Sequence, residues 1–403
     1  MPINNDFIAI LKQVLSEANS GPLVLHEPEF SGNEWTYVKD CIDTGWVSSV
    51  GQYVNEFERK LCDFTGAKYA IAVVNGTAAL HMALLVAGVK AQDEVLIPAL
   101  SFVATANAVS HCGAIPHFVD SNFNTLGLDP DVLDTYLADI TEMRAGICVN
   151  KKTQRPIRAL VPMHTFGHPM DLEKAIEVCK KYHLVLIEDA AESLGSFYQG
   201  QHTGTFGDLG ILSFNGNKVI TTGGGGAILT NHEELAKRVR HLSTTAKQAH
   251  PWAFYHDEVA YNYRMPNLNA ALGCAQLEQL PTFLKLKRTL ALRYLEAFEQ
   301  HNEFSFVKEP LHTQSNYWLN TVRLQSINMD LRNTLIESAI QNDFYCRPTW
   351  TLLNQLPMYL NHPSAPLPVA QNLEASLICL PSSVKLEKNN ERHENLCSDR
   401  LTS

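Results

Sequence analysis

The stretch Val185-Leu186-Ile187-Glu188-Asp189-Ala190-Ala191-Glu192 decides how the rest of the chain is read. A short apolar run of strand length ends here in carboxylates. In open α/β sheets the carboxyl ends of strands are where ligands bind. Asp189 therefore either faces a ligand or caps the turn that follows. Working outward, similar apolar runs fall at 69–74, 94–98, 115–119, 158–163 and 184–187. Helical segments at 77–87, 102–110 and 172–182 separate them. That alternation predicts a mostly parallel sheet covered on both faces. Segments 210–214 and 226–230 flank a glycine-rich turn and are expected to pair as neighbours.

Upstream, Phe7, Ile8, Ile10, Leu11 and Leu15 fall at helical spacing, giving an amphipathic arm that Gly21-Pro22 ends. A second helix is expected over 32–43. After about residue 255 the rhythm changes. A helix at 268–280, a second long helix at 281–300 and then short mixed elements suit a smaller domain. The predicted division is an N-terminal arm (1–30), a large domain (31–255) and a small C-terminal α/β domain (256–403). The end, 385–403, is polar enough to be partly disordered.

The chain has 403 residues, 45% of them hydrophobic, which is ample for more than one core. Its 32 basic and 42 acidic residues leave a net charge of -10, which argues against general affinity for nucleic acid or anionic membrane. Nine scattered cysteines with no C-x-x-C pair read as reduced thiols of a cytoplasmic protein, and no metal site is expected from them. The N-terminus lacks the basic start of a signal peptide. The apolar stretch 78–89 contains His81 and is too short to span a bilayer.

Two further motifs carry chemistry. In Ser213-Phe214-Asn215-Gly216-Asn217-Lys218, followed by Thr221-Thr222 and four glycines (223–226), a lysine sits between a strand end and a glycine run. Glycines there allow tight turning and close backbone approach to a ligand. A lysine in a partly desolvated cleft can form a Schiff base; the alternative is a surface lysine before a flexible hairpin. In Val74-Asn75-Gly76-Thr77-Ala78-Ala79-Leu80 a strand passes straight into a helix. Its leading N–H groups and the Thr77 hydroxyl make an anion cradle, unless Thr77 is an ordinary N-cap. Together, a phosphate cradle, a strand-end Asp189 and Lys218 before a glycine run are the three parts that pyridoxal phosphate requires. It needs an anion site, a carboxylate that keeps the pyridine nitrogen protonated, and a lysine for the Schiff base.

With these stretches, and with Asp43-Thr44-Gly45-Trp46-Val47-Ser48-Ser49, Tyr261-Asn262-Tyr263-Arg264 and Ser315-Asn316-Tyr317-Trp318, the chain resembles the DegT/DnrJ/EryC1/StrS sugar aminotransferases over about residues 28 to 381. It is most similar to the branch that makes 4-amino sugars on the way to legionaminic acid and bacillosamine. The resemblance implies an α/β chain of fold type I: a large domain on a mostly parallel seven-stranded sheet plus a smaller C-terminal α/β domain. It implies that Lys218 forms the Schiff base and shuttles the proton, and that Asp189 binds the pyridine nitrogen. Ala191 and Phe102 would pack on the two ring faces. Gly76, Thr77, Ala78 and Ser213 would hold the phosphate. Asn262 would reach it from a second subunit, so a homodimer with shared sites is expected. Glu192 stands where many members carry Gln or His beside the ring hydroxyl; a carboxylate there must be protonated to donate a hydrogen bond, or turn away.

For the keto sugar, the resemblance implies Thr44, Gly45, Trp46, Ser48 and Asn215 near the substrate and His164 on the wall. Arg347 and Trp350 would close the site from the small domain. By chemistry alone, Arg347 suits a diphosphate or carboxylate and Trp350 suits stacking on a sugar or base. A surface ion pair and a buried Trp are the alternatives, as is a structural histidine at His164. The implied reaction moves an amino group from glutamate to a nucleotide-linked 4-keto-6-deoxy sugar, in bacterial surface glycan synthesis.

A sugar dehydratase on the same scaffold would replace Lys218, typically with His. A non-catalytic cofactor-binding or regulatory protein would bind pyridoxal phosphate without moving nitrogen. A nicotinamide-dependent dehydrogenase would need G-x-G-x-x-G opening a helix, whereas glycines 223–226 precede a strand. The all-glycine run, where other branches carry Gly-Glu-Gly-Gly, points to subfamily specificity.

Overall fold

The computed structural model describes residues 2–15 and 21–389. The chain opens with helices α1 (Pro2–Leu15), α2 (Glu34–Thr44) and α3 (Gln52–Thr65). It then alternates: β1 (Tyr69–Val73), α4 (Gly76–Val86), β2 (Glu94–Pro98), α5 (Val103–His111), β3 (Ile115–Val119), α6 (Pro130–Ile140), β4 (Ile157–Leu160), α7 (Leu172–Tyr182) and β5 (Val185–Asp189). Strands β6 (Leu209–Ser213) and β7 (Gly226–Thr230) follow, then α8 (Glu233–Ser243) and α9 (Asn267–Glu299). The last part holds β8 (Phe304–Phe306), β9 (Asn320–Leu324), α10 (Met329–Gln341), β10 (Arg347–Pro348), α11 (Pro368–Ser376) and β11 (Leu377–Leu380).

Seven strands form one sheet in the order β1-β7-β6-β5-β4-β2-β3. Every neighbouring pair is parallel except those of β7, which runs antiparallel to both β6 and β1. The strands are buried along almost their whole length, which is why they read as continuous apolar runs rather than alternating ones. The order places the carboxyl ends of β1, β5 and β6 around one edge, where the chemistry-bearing segments emerge. A second, antiparallel sheet runs β8-β9-β11-β10. The mostly parallel sheet and the smaller C-terminal unit match the expectation of a fold type I α/β chain.

The amphipathic arm is helical, and its apolar face is spent on the small unit. Phe7, Ile10, Leu11 and Leu15 are buried with Tyr294, Phe298, Phe304, Phe306 and Leu380. The large-unit core gathers the sheet around residues such as Phe57, Ile71, Ile187, Ile211 and Ile228.

Three local expectations need correction. The helices expected at 268–280 and 281–300 are one helix, α9, with Pro281 inside it. Proline removes a single N–H, and buried Leu277, Leu280, Phe283 and Leu286 on either side hold the helix through it. The strand expected to 163 ends at Leu160; Pro162 cannot extend the ladder. Helices α3, α6, α8, α10 and α11 add to the expected set. At α6, Asp129 Oδ1 accepts from the N–H groups of Asp131 and Val132, with Pro130 leading the helix. Of the polar tail, 384–389 are helical with Val384 and Leu386 buried; 390–403 lie outside the described residues. Among the described residues, no helix is long and apolar enough to cross a membrane.

Candidate active site

A cavity of about 520 Å³ opens between the carboxyl edge of the large sheet and the small unit. Gly76, Thr77, Phe102, Asp189, Ala191, Glu192, Ser213, Asn215, Lys218, Arg347 and Trp350, all expected from sequence, line it.

Lys218 lies in the loop that leaves β6 and returns to β7. The loop is pinned where Phe214 N–H donates to Gly225 O (2.9 Å) and Thr222 N–H to Phe214 O (3.0 Å). The Lys218 side chain is 13% exposed, so the lysine is a cleft group and not a surface one. Its Nζ lies 3.3 Å from Glu192 Oε1 and 3.8 Å above the centre of the Trp318 ring. The indole is itself held, Nε1 donating to Asn217 O at 2.7 Å.

Asp189 ends β5 and is fully buried at the cavity floor. Thr105 Oγ1 donates to its Oδ2 at 2.7 Å and Ala191 N–H to its Oδ1 at 3.2 Å. Burial raises the Asp189 carboxyl above its ordinary value, while the Thr105 bond, the Ala191 N–H and the Lys218 charge pull the other way. A cationic ring nitrogen beside Asp189 would favour the carboxylate further. Glu192 is likewise buried, and desolvation pushes its carboxyl up to about 7 against the opposing charge of Lys218. Its Oε2 accepts from Phe166 N–H at 3.0 Å.

At the other end, the start of α4 faces the cavity. The cap is Asn75, whose Oδ1 accepts from Ala78 N–H at 2.8 Å. The N-cap is thus Asn75 and not the alternative Thr77; the Ala78 N–H is engaged by it, and Ala78 is not among the residues lining the cavity. A Cβ at Gly226 would lie 2.6 Å from Asn75 O and 2.8 Å from Gly76 N, and one at Gly76 would lie 3.0 Å from Ser213 Cβ. Glycine is therefore what lets the helix start sit against β6 and β7 and present its N–H groups with Ser213.

Several expected residues lie elsewhere. His164 is fully buried and turned from the cavity: its Nε2 meets Glu188 Oε2 at 3.1 Å and its Nδ1 accepts from Met170 N–H at 3.3 Å. It is not among the residues that line the cavity. Thr44, Gly45, Trp46 and Ser48 are exposed and outside the cavity of this subunit. Gly45 is the left-handed cap of α2, and Trp46 O and Ser48 O accept from Asn267 Nδ2 and N–H. Asn262 is also exposed and outside the cavity.

Thr105, Phe166 and Trp318 are site residues that motif reading passed over. Phe166 holds a left-handed backbone (φ 56°), uncommon for an aromatic residue, which turns its N–H to Glu192. Its ring lies between Trp350 (5.0 Å between centroids) and Trp318 (6.5 Å), completing an aromatic wall. Trp318 stood within a quoted motif; Thr105 carried no signal beyond its place near Phe102.

The donor set fits pyridoxal phosphate: an amine, a buried carboxylate and a helix start, converging on one cavity whose lining includes Gly76 and Gly225.

Comparison with known proteins agrees. Residues 28–394 match the model of the DegT/DnrJ/EryC1/StrS aminotransferase family. The chain is 37% identical over 378 residues to a GDP-perosamine synthase of Escherichia coli O157:H7, covering 93% of this chain and 96% of that one. It is 34% identical to the GDP-perosamine synthase of Caulobacter vibrioides, covering 89% and 92%. Among solved structures, the aminotransferase TlmJ from Streptoalloteichus hindustanus superposes with a TM-score of 0.82 at 25% identity, covering 94% of this chain and all of that one. DesI, solved with its TDP-sugar product, gives a TM-score of 0.80 at 25% identity over 96% of each chain. The chain belongs to the DegT/DnrJ/EryC1/StrS aminotransferase family and is an enzyme with pyridoxal phosphate as its cofactor.

Proposed function

We propose that this chain transfers an amino group from an amino acid, glutamate being the expected donor, to the keto carbon of a nucleotide-linked 4-keto-6-deoxy sugar for surface glycan synthesis. The convergence of Lys218, Asp189 and the α4 start on one cavity carries this reading. The relatives named GDP-perosamine synthase make a GDP-linked sugar the first substrate to try. The legionaminic acid and bacillosamine branch remains the second.

Bound pyridoxal phosphate supplies the carbonyl and the electron sink. The residues do the rest. Lys218 Nζ binds the cofactor and moves the proton at the reacting carbon. Asp189, steadied by Thr105 and Ala191, keeps the ring nitrogen protonated. The leading N–H groups of α4, with Thr77 and Ser213, hold the phosphate. Ala191 and Phe102 flank the ring. Asn215 lies toward the sugar. Arg347, which makes no ion pair among the described residues, suits the diphosphate, and Trp350 the sugar or base. The exposed Asn262 and the neighbouring Trp252, Phe254 and Tyr255, at 79%, 80% and 63% exposure, favour a homodimer in which the first reaches the partner's site. The exposed loop 44–48 fits a role completed by assembly. The eight described cysteines, all free thiols, suit the cytoplasm.

Visible absorbance tests the central claim. Purified wild type mixed with pyridoxal phosphate is expected to gain a band that glutamate bleaches, whereas Lys218→Ala retains no cofactor after borohydride reduction and washing. A variant that retains cofactor like the wild type would remove Lys218 from its role.

A further inference from the structure

Glu192 has no structural task that requires its acidity. Its Oε2 is occupied by Phe166 N–H, which an amide oxygen would accept as well. The free oxygen, Oε1, points at Lys218 Nζ across 3.3 Å. Of the other bases around the lysine, Asp189 is committed to Thr105 and Ala191, and His26, whose Nδ1 has no partner, is held well below its ordinary value by burial and by Lys287 and so is a poor proton acceptor. Glu192 is therefore neither turned away nor spare.

We propose that Glu192 is the proton acceptor that frees Lys218 to take up its cofactor, an inference that rests on the function proposed above. The Lys218 ammonium passes one proton to Glu192 Oε1. An N–H bond breaks, an O–H bond forms, nothing is oxidised, and a neutral amine faces a neutral acid. The lone pair released on Nζ is what adds to the pyridoxal carbonyl, whose oxygen leaves as water. The neutral acid is then a hydrogen-bond donor at the cavity wall, the form that a site beside a ring hydroxyl requires.

Burial favours this transfer. A desolvated ion pair is held at a cost, and a neutral pair removes it. The charged and titratable groups facing the pair are few. Asp189 at the end of β5 disfavours a second carboxylate, Cys379 in β11 is a buried thiol pushed up to about 12, and His26 in the segment before α2 faces Lys218 with its imidazole held neutral by burial and by Lys287. The carboxyl of Glu192, pushed up to about 7, takes a proton far more readily near neutral pH than an ordinary carboxyl does.

The test is the rate at which cofactor-free full-length protein captures pyridoxal phosphate, read by borohydride trapping and mass, between pH 7 and 9. In the wild type the proton stays within the pair, so the rate is expected to be nearly flat with pH. In Glu192→Gln the lysine must lose its proton to solvent, so the rate is expected to fall roughly tenfold per pH unit on the acid side. A flat profile in Glu192→Gln, or an equally steep one in the wild type, overturns the proposal. Infrared difference spectra give an independent reading. Capture by the wild type is expected to raise a protonated-carboxyl stretch that Glu192→Gln lacks, and its absence also overturns the proposal. Failure of the wild type to capture cofactor at any pH would instead overturn the function itself.

Discussion

At the scale of single residues, the charge on Asp189 is under pressure. Burial favours its neutral form, and the Thr105 hydroxyl at 2.7 Å is the leading hydrogen bond opposing that. Thr105→Val keeps the branched shape and removes the bond, which to a charged acceptor is worth about 1.5–3 kcal/mol. The expected result is a roughly tenfold to hundredfold loss in kcat/KM, with a shift in the pH at which the bound cofactor's band titrates, both restored by Thr105→Ser. A variant with unchanged spectrum and activity would make Thr105 a packing residue. The same scale shows where sequence reading succeeds and fails. Asp189 and Lys218 were legible because each follows a strand whose end is fixed by its apolar run. His164 was not, because which way a side chain turns at a strand exit depends on register with β5 and on the acceptor Glu188, and neither is written locally. The engagement of Ala78 was not legible for a similar reason: the cap lies one residue before the glycine, at Asn75, and takes the Ala78 N–H.

At the scale of elements, the anion cradle depends on contact between backbones. The start of α4 rests on β7 at Gly226, where any Cβ would strike Asn75 and Gly76. Gly226→Ala must move the helix start. A displacement on the order of 1 Å at an oriented group costs up to about a hundredfold. The expected outcome is a pyridoxal phosphate affinity weakened by roughly tenfold or more, with helix content retained in circular dichroism; unchanged affinity would show that this turn does not hold the phosphate. The strands of the large unit, and the connecting helices α4, α5 and α7, were readable because their apolar runs are short and bounded. Helix α3, which buries Val54, Phe57 and Leu61, was passed over, whereas Pro281 suggested a break in α9 that the structure does not have. Tertiary burial decides such cases, and one strand of sequence does not display it.

At the scale of the molecule, buried neutral histidines set the response to acid. His168 and His202 are fully buried and pushed down to about 4, and His26 lies well below its ordinary value. In each, burial is the leading cause. For His168 and His202 the unfolded chain takes up the proton near pH 6.5 and the folded chain only near 4, so the stability they contribute is present above 6.5 and is lost as pH falls toward 4; His26 acts in the same direction. Glu192 acts oppositely: its contribution is present below 4.5 and is lost as pH rises through about 7. His168 and His202 against Glu192 leave a net loss on the order of 1–2 kcal/mol between pH 7 and 5, to which His26 adds in the same direction. Urea midpoints of the cofactor-free protein at the two pH values check this; a higher midpoint at pH 5 would refute it.

Helix α9, with 33 residues, is about 50 Å long. Its first residue, Asn267, grips the carbonyls of Trp46 and Ser48, and its last turns lie in the core that carries β8, β9 and β11. β10, bearing Arg347, is stitched to β11. The helix is thus a see-saw beam with the loop at 46–48 on one end and the Arg347 wall on the other. Between the two ends the same helix also holds the loop that carries Lys218, through Asn269 to Thr222 O and Gly224 O and through Gln276 to Thr221 N–H.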